Sequence, residues 1–422
     1  MTLYAFDGTW NREDPVLIET TNVVRFRDRY DGHCEYLSGV GTRFGALGLA
    51  LGGAFGAGGQ TRIEEMYASL VANWKRGDQV IDIIGFSRGA ALAVHFSNVI
   101  AQEGIRDGGE LLARPDIRFL GLWDCVAAFG IPIDFVLNFQ DINIGYDLKV
   151  PRNVQHCFHA MALHERRQSF DVERQNVSGR RRNVEELWFR GVHNDIGGGL
   201  GNTALSSITL QWMMQKAKAC GLPVEDADIR ALGRLADHRA PIGKNFDPIE
   251  NPPRRIHRND RFHPTALGKQ LAIGDRLRFT VRAPELHSWS GARLVKGGYY
   301  AFTIGPRQTW LDNDIECGPE GWHSEDLPRT RESVVRFFEG RRRCPQANWF
   351  ELIGAIDEDD ATLFRIGRGG RDATYRAAKS GELFAFANDL PGFYGNNRGA
   401  IEVQVKRVAG PGGARLQPCR RR

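Results

Sequence analysis

Val80-Ile81-Asp82-Ile83-Ile84-Gly85-Phe86-Ser87-Arg88-Gly89-Ala90-Ala91-Leu92-Ala93-Val94 is the stretch on which the reading turns. Its first half is a run of β-branched residues, the signature of a strand buried on both faces. From Ala90 onward the residues suit the start of a helix. Between the two, Gly85-Phe86-Ser87-Arg88-Gly89 matches G-x-S-x-G, a pattern that chance supplies roughly 0.2 times in a chain of this composition. The strand–turn–helix setting gives the match its weight. A serine on a strained turn is presented for attack, and the helix N-terminus below it offers amide N–H groups to a developing oxyanion.

Outward from this turn, apolar runs and helical spacings alternate. Residues 3–6 form a short strand that ends at Asp7-Gly8, residues 20–30 have helical spacing, and residues 34–39 read as a second strand. Residues 45–59 are glycine-heavy and read as a long loop, with Leu47, Leu49, Leu51 and Phe55 as the apolar groups of a lid. Met66, Leu70, Val71 and Trp74 share one face of a helix. Residues 117–123, 156–163 and 186–192 are further strands, and residues 208–219 a helix with Ser206 or Ser207 as its N-cap. This alternation predicts an α/β fold with a mostly parallel sheet covered on both faces, and the G-x-S-x-G turn makes that sheet α/β-hydrolase-like. Periodicity then fades across residues 241–264. From residue 277 short alternating strands take over, at 277–281, 299–304, 352–356, 383–386 and 401–405. The expected organisation is an α/β domain over 1–276, an all-β second domain from 277 and a basic tail over 410–422.

With 422 residues, 42% hydrophobic and 25% charged, the composition excludes a disordered chain, a coiled coil and a small disulfide scaffold. Basic residues number 56 against 51 acidic, a net charge of +5, too mild to argue for nucleic acid. The arginine clusters at 180–182, 341–343 and 420–422 read as solvated surface. Cys34, Cys125, Cys157, Cys220, Cys317, Cys344 and Cys419 are scattered without a C-x-x-C pair. Neither a disulfide framework nor a zinc site is expected, and a reducing site of synthesis is implied. The opening residues have no basic and apolar leader pattern, and the glycine-broken run 46–55 is too short to span a membrane. A soluble protein made in the cytoplasm without a signal peptide is expected.

A serine hydroxyl is a weak nucleophile without a base, and in hydrolase sheets the partners follow in the order Ser, acid, His at the ends of later strands. Asp124 ends the run 117–123, and His193 ends the run 187–192. Both stand where open α/β sheets place their sites. Asp195 competes for the acid, and His164 or His263 for the base. The oxyanion donors are expected from the amide of Gly8 or Thr9 together with that of Arg88. Such chemistry requires no metal.

Five segments stand in one order: Phe6-Asp7-Gly8-Thr9-Trp10-Asn11, Gly85-Phe86-Ser87-Arg88-Gly89-Ala90, Leu122-Trp123-Asp124-Cys125-Val126, His159-Ala160-Met161-Ala162-Leu163 and Gly191-Val192-His193-Asn194-Asp195-Ile196-Gly197-Gly198-Gly199. Together they resemble the catalytic domain of the family 1 type VI secretion phospholipase effectors, over roughly residues 1–270. The resemblance implies phospholipase A activity with Ser87, Asp124 and His193 as the triad and a phospholipid membrane as substrate. It further implies export by a type VI system into a target cell's envelope, with the secretion apparatus and an immunity protein as partners. Where many relatives carry an aspartate after the His-Ala-x-Ala-Leu strand, this chain has His164-Glu165-Arg166-Arg167, and the acidic residue is read as structural.

In the second domain, Asn388-Asp389-Leu390-Pro391-Gly392-Phe393-Tyr394-Gly395-Asn396-Asn397-Arg398-Gly399 gathers oxygen donors within a turn-rich run. It resembles the sugar loop of the calcium-dependent bacterial galactose-binding lectins. That likeness, over roughly 277–409, implies an all-β jelly-roll sandwich, with Asp389, Asn396 and Asn397 as calcium ligands and glycans as partners, although Arg398 stands where a small residue is usual. Two alternatives to the phospholipase remain open: a calcium-dependent glycan-binding protein with a silent hydrolase fold, and an esterase on another substrate.

Overall fold

The computed structural model describes residues 1–8, 20–38, 54–126, 147–167, 170–243 and 254–419, with backbone alone over 54–60. The chain divides into two compact units, Met1–Ala266 and Leu267–Arg422. The textural change near residue 276 therefore lies inside the second unit, where Leu271 is already fully buried.

The first unit is built on six parallel strands. They are β1 (Thr2–Phe6), β2 (His33–Leu37), β3 (Ile81–Phe86), β6 (Ile117–Trp123), β7 (Val154–Ala162) and β8 (Val184–Phe189), in the order β2-β1-β3-β6-β7-β8. A separate hairpin, β4 (Ile105–Asp107) and β5 (Glu110–Ala113), lies between β3 and β6 in sequence. Every residue of β1 and β3 is buried, as expected of central strands covered on both faces. Alternate side chains go to opposite layers. Leu3 and Ala5 join the core that includes helices α1 (Asn22–Arg27), α5 (Ala204–Ala219) and α6 (Asp226–Leu235), whereas Tyr4 and Phe6 join the core under α2 (Ala54–Lys75) and α3 (Arg88–Glu103). Ala90, Ala91 and Ala93 are fully buried on α3, and their small side chains let this helix lie close against the sheet. Rings such as Phe86, Phe119 and Trp123 fill the space between layers, each contributing about 1.5–3 kcal/mol by burial. A short helix, α4 (His193–Gly197), follows β8.

Two expectations shift. Residues 54–59, read as part of a long loop, belong to α2, and 45–53 lie outside the described residues. Helix α5 begins at Ala204 with Thr203 at its N-cap, not at Ser206 or Ser207. Both serines are buried and accept from Arg25 instead. No helix among the described residues is long and apolar enough to cross a membrane.

The second unit is all-β apart from one α-helix, α7 (Arg329–Phe338), and short single turns. One sheet runs β14 (Ile315–Cys317), β13 (Trp310–Asp312), β19 (Asn397–Val408), β12 (Tyr299–Ile304), β17 (Gly369–Arg376), β20 (Ala414–Arg415), with β10 (Arg276–Arg282) also paired to β19. The other runs β16 (Asp359–Arg365), β15 (Leu352–Ile356), β18 (Gly381–Ala387), β11 (Ser288–Leu294), β9 (Lys269–Gln270). Strand β19 shows why they pack: Ile401, Val403 and Val405 are fully buried while Glu402 between them is exposed. These residues meet Leu352, Leu383 and Ala385 of the other sheet in one core, the arrangement of a sandwich.

The cysteines correct the sequence reading. Cys344 and Cys419 form a disulfide across a separation of 75 residues, a pairing that no local spacing announces. The expected basic tail is also structured in part. Ala414–Arg415 pairs in parallel with β17, and the Cys419 amide donates to Leu363 O.

Candidate functional site

The ends of five parallel strands converge on the site. Asp7 follows β1, Ser87 follows β3, Asp124 follows β6, Glu165 lies beyond β7, and His193 lies beyond β8. This is the carboxyl edge, where parallel sheets place their chemistry.

Ser87 sits between β3 and α3 with φ 59° and ψ −128°, a conformation that costs a non-glycine residue about 1–3 kcal/mol. The turn survives because it is tied down. Its N–H donates to Trp123 O at 3.0 Å, and its carbonyl accepts from Ala90 at 3.1 Å and Val126 at 3.3 Å. Gly89 is fixed by proximity, since a Cβ there would stand 2.4 Å from Phe6 O and 2.5 Å from Asp7 O.

Asp124 is likewise left-handed, at φ 39°, and is fully buried. Its Oδ2 accepts from His193 Nδ1 at 2.6 Å and Arg254 Nη2 at 3.0 Å, and its Oδ1 from Ala162 N at 2.8 Å and Arg254 Nη1 at 2.6 Å. Four donors thus occupy the four lone-pair directions of a carboxylate. Burial pushes this carboxyl up, but Arg254 and His193 outweigh it and hold it well below the usual range.

His193 is 3% exposed. Phe86 lies 4.6 Å from its ring centre to centre, and Phe170 meets it edge-on at 4.8 Å. Its backbone N–H donates to Glu165 Oε2 at 3.1 Å, and Glu165 is in turn held by Arg167. Glu165 therefore anchors the histidine turn through the backbone. Burial lowers the affinity of the imidazole for a proton, Asp124 raises it, and Arg254 and Arg167 lower it again; the net shift is downward. Nδ1 is committed to Asp124, and no hydrogen bond joins Ser87 to His193.

The competing candidates have other work. Asp195 accepts from the amides of Val192 and Gly243, each at 2.9 Å. His164 accepts from Gly191 N, and burial drives its pKa down to about 3. His263 pairs with Thr265 and stacks on Phe189. His159, from the His-Ala-x-Ala-Leu segment, accepts from Cys125 N and contacts Glu186 at 3.1 Å, buttressing the turn that carries Asp124.

Of the expected oxyanion donors, Arg88 opens α3. The amide of Gly8 donates to Asp7 Oδ1 at 2.7 Å. Thr9 lies outside the described residues. Asp7 also accepts from the hydroxyls of Thr21 and Tyr36, each at 2.8 Å, while burial pushes its carboxyl up to about 6. Arg254 was not legible as a site residue, because 130 positions separate it from Asp124. It stands in a stretch without periodicity.

In the second unit, Asp389 and Asn397 are each 3% exposed, and Asn397 Nδ2 donates to Asp389 Oδ2 at 3.0 Å. Asn397 Oδ1 is buried without a partner. Asp312 is the cross-strand neighbour of Asn397 and accepts from Trp322 Nε1 at 3.1 Å. Burial, reinforced by the Asp389 charge, pushes the Asp312 carboxyl up to about 7. Asn396 is exposed at the adjoining turn. Two carboxylates beside an unpaired amide oxygen form a hard-oxygen donor set that suits calcium. No group of three His, Cys, Asp or Glu side chains is placed for a metal among the described residues.

A parallel sheet with a serine on the sharp turn after its central strand, beside a buried His–Asp pair, defines an α/β-hydrolase-like protein. Residues 3–112 and 109–216 both match the family described as "T6SS, Phospholipase effector Tle1-like, catalytic domain". The chain belongs to this family of type VI secretion Tle1-like phospholipase effector catalytic domains. Among solved structures, similarity extends to an uncharacterized protein from Pseudomonas aeruginosa, with 23% identity and a TM-score of 0.36, over 54% of this chain and 47% of that one. It extends also to the Tle1 effector bound to the VgrG spike of the type 6 secretion system, with 16% identity and a TM-score of 0.35, over 97% of this chain and 69% of that one. The EclA N-terminal domain, a PllA-like lectin, aligns at 18% identity and a TM-score of 0.22, over 31% of this chain and 95% of that one. Thus the chain spans about half the length of the first of these structures. No curated protein matches it significantly.

Proposed function

We propose that this protein is a serine ester hydrolase that cleaves carboxylic ester bonds of phospholipids, a phospholipase A delivered by a type VI secretion system into a target cell's envelope. The observation that carries the reading is the 2.6 Å contact of buried His193 Nδ1 with Asp124, one strand-end away from Ser87 on its strained turn. With Nδ1 engaged, Nε2 is the nitrogen left to take the Ser87 proton as the hydroxyl oxygen attacks the ester carbonyl. The oxyanion is held at the α3 N-terminus. His193 then protonates the departing lysophospholipid, and a water activated by the same imidazole releases the fatty acid. Asp124 fixes the tautomer and stabilises the transient imidazolium. The Cys344–Cys419 bond supports an envelope destination, since an oxidising compartment preserves it. The secretion apparatus and an immunity protein are the partners this destination calls for.

Fatty-acid release from mixed phospholipid vesicles tests the reading. The parent releases fatty acid, and Ser87→Ala lowers the rate by about 10³-fold or more. Release that persists in Ser87→Ala overturns the mechanism. Release from short-chain soluble esters but not from vesicles moves the substrate away from phospholipid.

A second reading concerns the β unit, where the unpaired Asn397 Oδ1 beside Asp389 favours a calcium site that recruits glycans. Asp389 and Asn397 would hold the ion, with Asn396 at the turn and Asp312 alongside. Terbium, a calcium mimic, should give luminescence sensitised by Trp322, which calcium quenches and Asp389→Asn abolishes. Equal luminescence in parent and variant removes the site.

A further inference from the structure

Asp124 differs from a simple triad acid in one respect. A guanidinium, only 5% exposed, grips both of its oxygens, at 2.6 and 3.0 Å. The fork is itself located: Arg254 Nη1 donates to Ala162 O at 2.9 Å and Nη2 to Phe170 O. Because Ala162 N also donates to Asp124 Oδ1, carboxylate and guanidinium are registered against the same residue at the end of β7. A bidentate arginine clamp of this kind sets the plane of a carboxylate as well as its charge.

The clamp has an electrostatic consequence. In a Ser-His-Asp set the full aspartate charge favours the imidazolium. Here Arg254 offsets that charge at contact distance, between side chains that are 5% and 0% exposed, where Coulomb interactions are stronger than in water. Among the described residues, the other charged groups at His193 are Glu165, which accepts its backbone N–H, and Arg167, which pairs with Glu165. Phe86 and Phe170 cover the ring without charge. His193 therefore borders two carboxylates, each neutralised by its own arginine.

We propose that Arg254 is a positioning residue of the site: its fork aims Asp124 Oδ2 at His193 Nδ1, and its buried charge offsets the aspartate charge that the imidazole meets as it accepts a proton. The inference rests on the serine-hydrolase reading for its catalytic meaning, but its electrostatic half concerns His193 alone. Burial and the two arginines, against Asp124, depress the histidine in the same direction.

The test compares the parent with Arg254→Lys and Arg254→Gln, each assayed for the pH dependence of Ser87 labelling by a fluorophosphonate and of fatty-acid release. Arg254→Gln should move the acid limb of both profiles upward by about one unit or more, with a lower plateau and little change in KM. Arg254→Lys keeps the charge without the fork, so its limb should stay at the parent's position while its plateau falls. An unmoved limb in Arg254→Gln, or a displaced one in Arg254→Lys, overturns the proposal and leaves Arg254 a structural clamp. If Arg254→Gln does not fold, Arg254→Met, which also removes the charge, takes its place and is read by the same criterion. If the parent neither labels nor releases fatty acid, the serine-hydrolase reading has failed. The imidazole titration of His193 by NMR, assigned by its loss in His193→Gln, then tests the electrostatic half in the parent and the Gln variant: an upward shift in Arg254→Gln supports it, and an unshifted titration overturns it.

Discussion

At the scale of single residues, the site stores strain in two places and relieves it through contacts. Ser87 and Asp124 both hold positive φ without being glycine, and each is tied by backbone bonds to the neighbouring strand end: Ser87 N to Trp123 O, and Asp124 N to Ala160 O at 2.7 Å. The run Gly197-Gly198-Gly199 acquires a physical reason from packing. A Cβ on Gly197 would lie 2.0 Å from the Phe86 ring, and that ring rests on His193. Gly197→Ala should therefore push Phe86 into the imidazole and lower kcat/KM for ester hydrolysis by about a hundredfold, with a smaller effect on the melting temperature. Activity close to the parent's would show that the ring contact does not position the base. Ser87 and His193 were legible from the sequence because each ends an apolar run that is itself legible. Arg254 was not, since a lone arginine in aperiodic sequence looks like any solvated charge.

At the scale of elements, the six parallel strands of the first unit fall where apolar runs predict them, because a parallel strand buried on both faces is nearly continuous in hydrophobic residues; the β4–β5 hairpin was not foreseen. Helix boundaries were less legible. Ser206 and Ser207 carry the chemistry of an N-cap, yet tertiary contacts to Arg25 employ them inside α5. Strand β20 is two residues long, too short to persist alone, and the Cys344–Cys419 bond lies four residues beyond it. Both sulfurs sit in a small cluster with Ile353, Leu363, Phe384, Phe386 and Tyr394. The bond closes a loop of 75 residues, so Cys419→Ser should lower stability by about 2–4 kcal/mol. A urea transition followed by tryptophan fluorescence, with and without reductant, measures this; coincident midpoints in parent and variant would show that packing alone holds the segment. Ser87 reactivity toward a fluorophosphonate should survive the change, because both cysteines belong to the second unit.

At the scale of the whole molecule, two units with separate cores present two different side-chain clusters: a hydrolase-like strand edge, and an acidic, amide-lined turn among antiparallel strands. The alternation of strands and helices, the later shift to short alternating strands, the serine turn, and the strand ends at which Asp124 and His193 stand are all local properties of the chain. Each is written in hydrophobic period or in turn chemistry over a few residues, which local sterics and burial translate directly into structure. Three other contacts exist only once the chain has closed in space: Arg254 grips Asp124 from 130 residues away, Asp312 faces Asn397 across a strand pair, and Cys344 finds Cys419. Burial rewards apolar surface without naming a partner. Which charges and thiols meet is therefore settled by how strands and loops close in space.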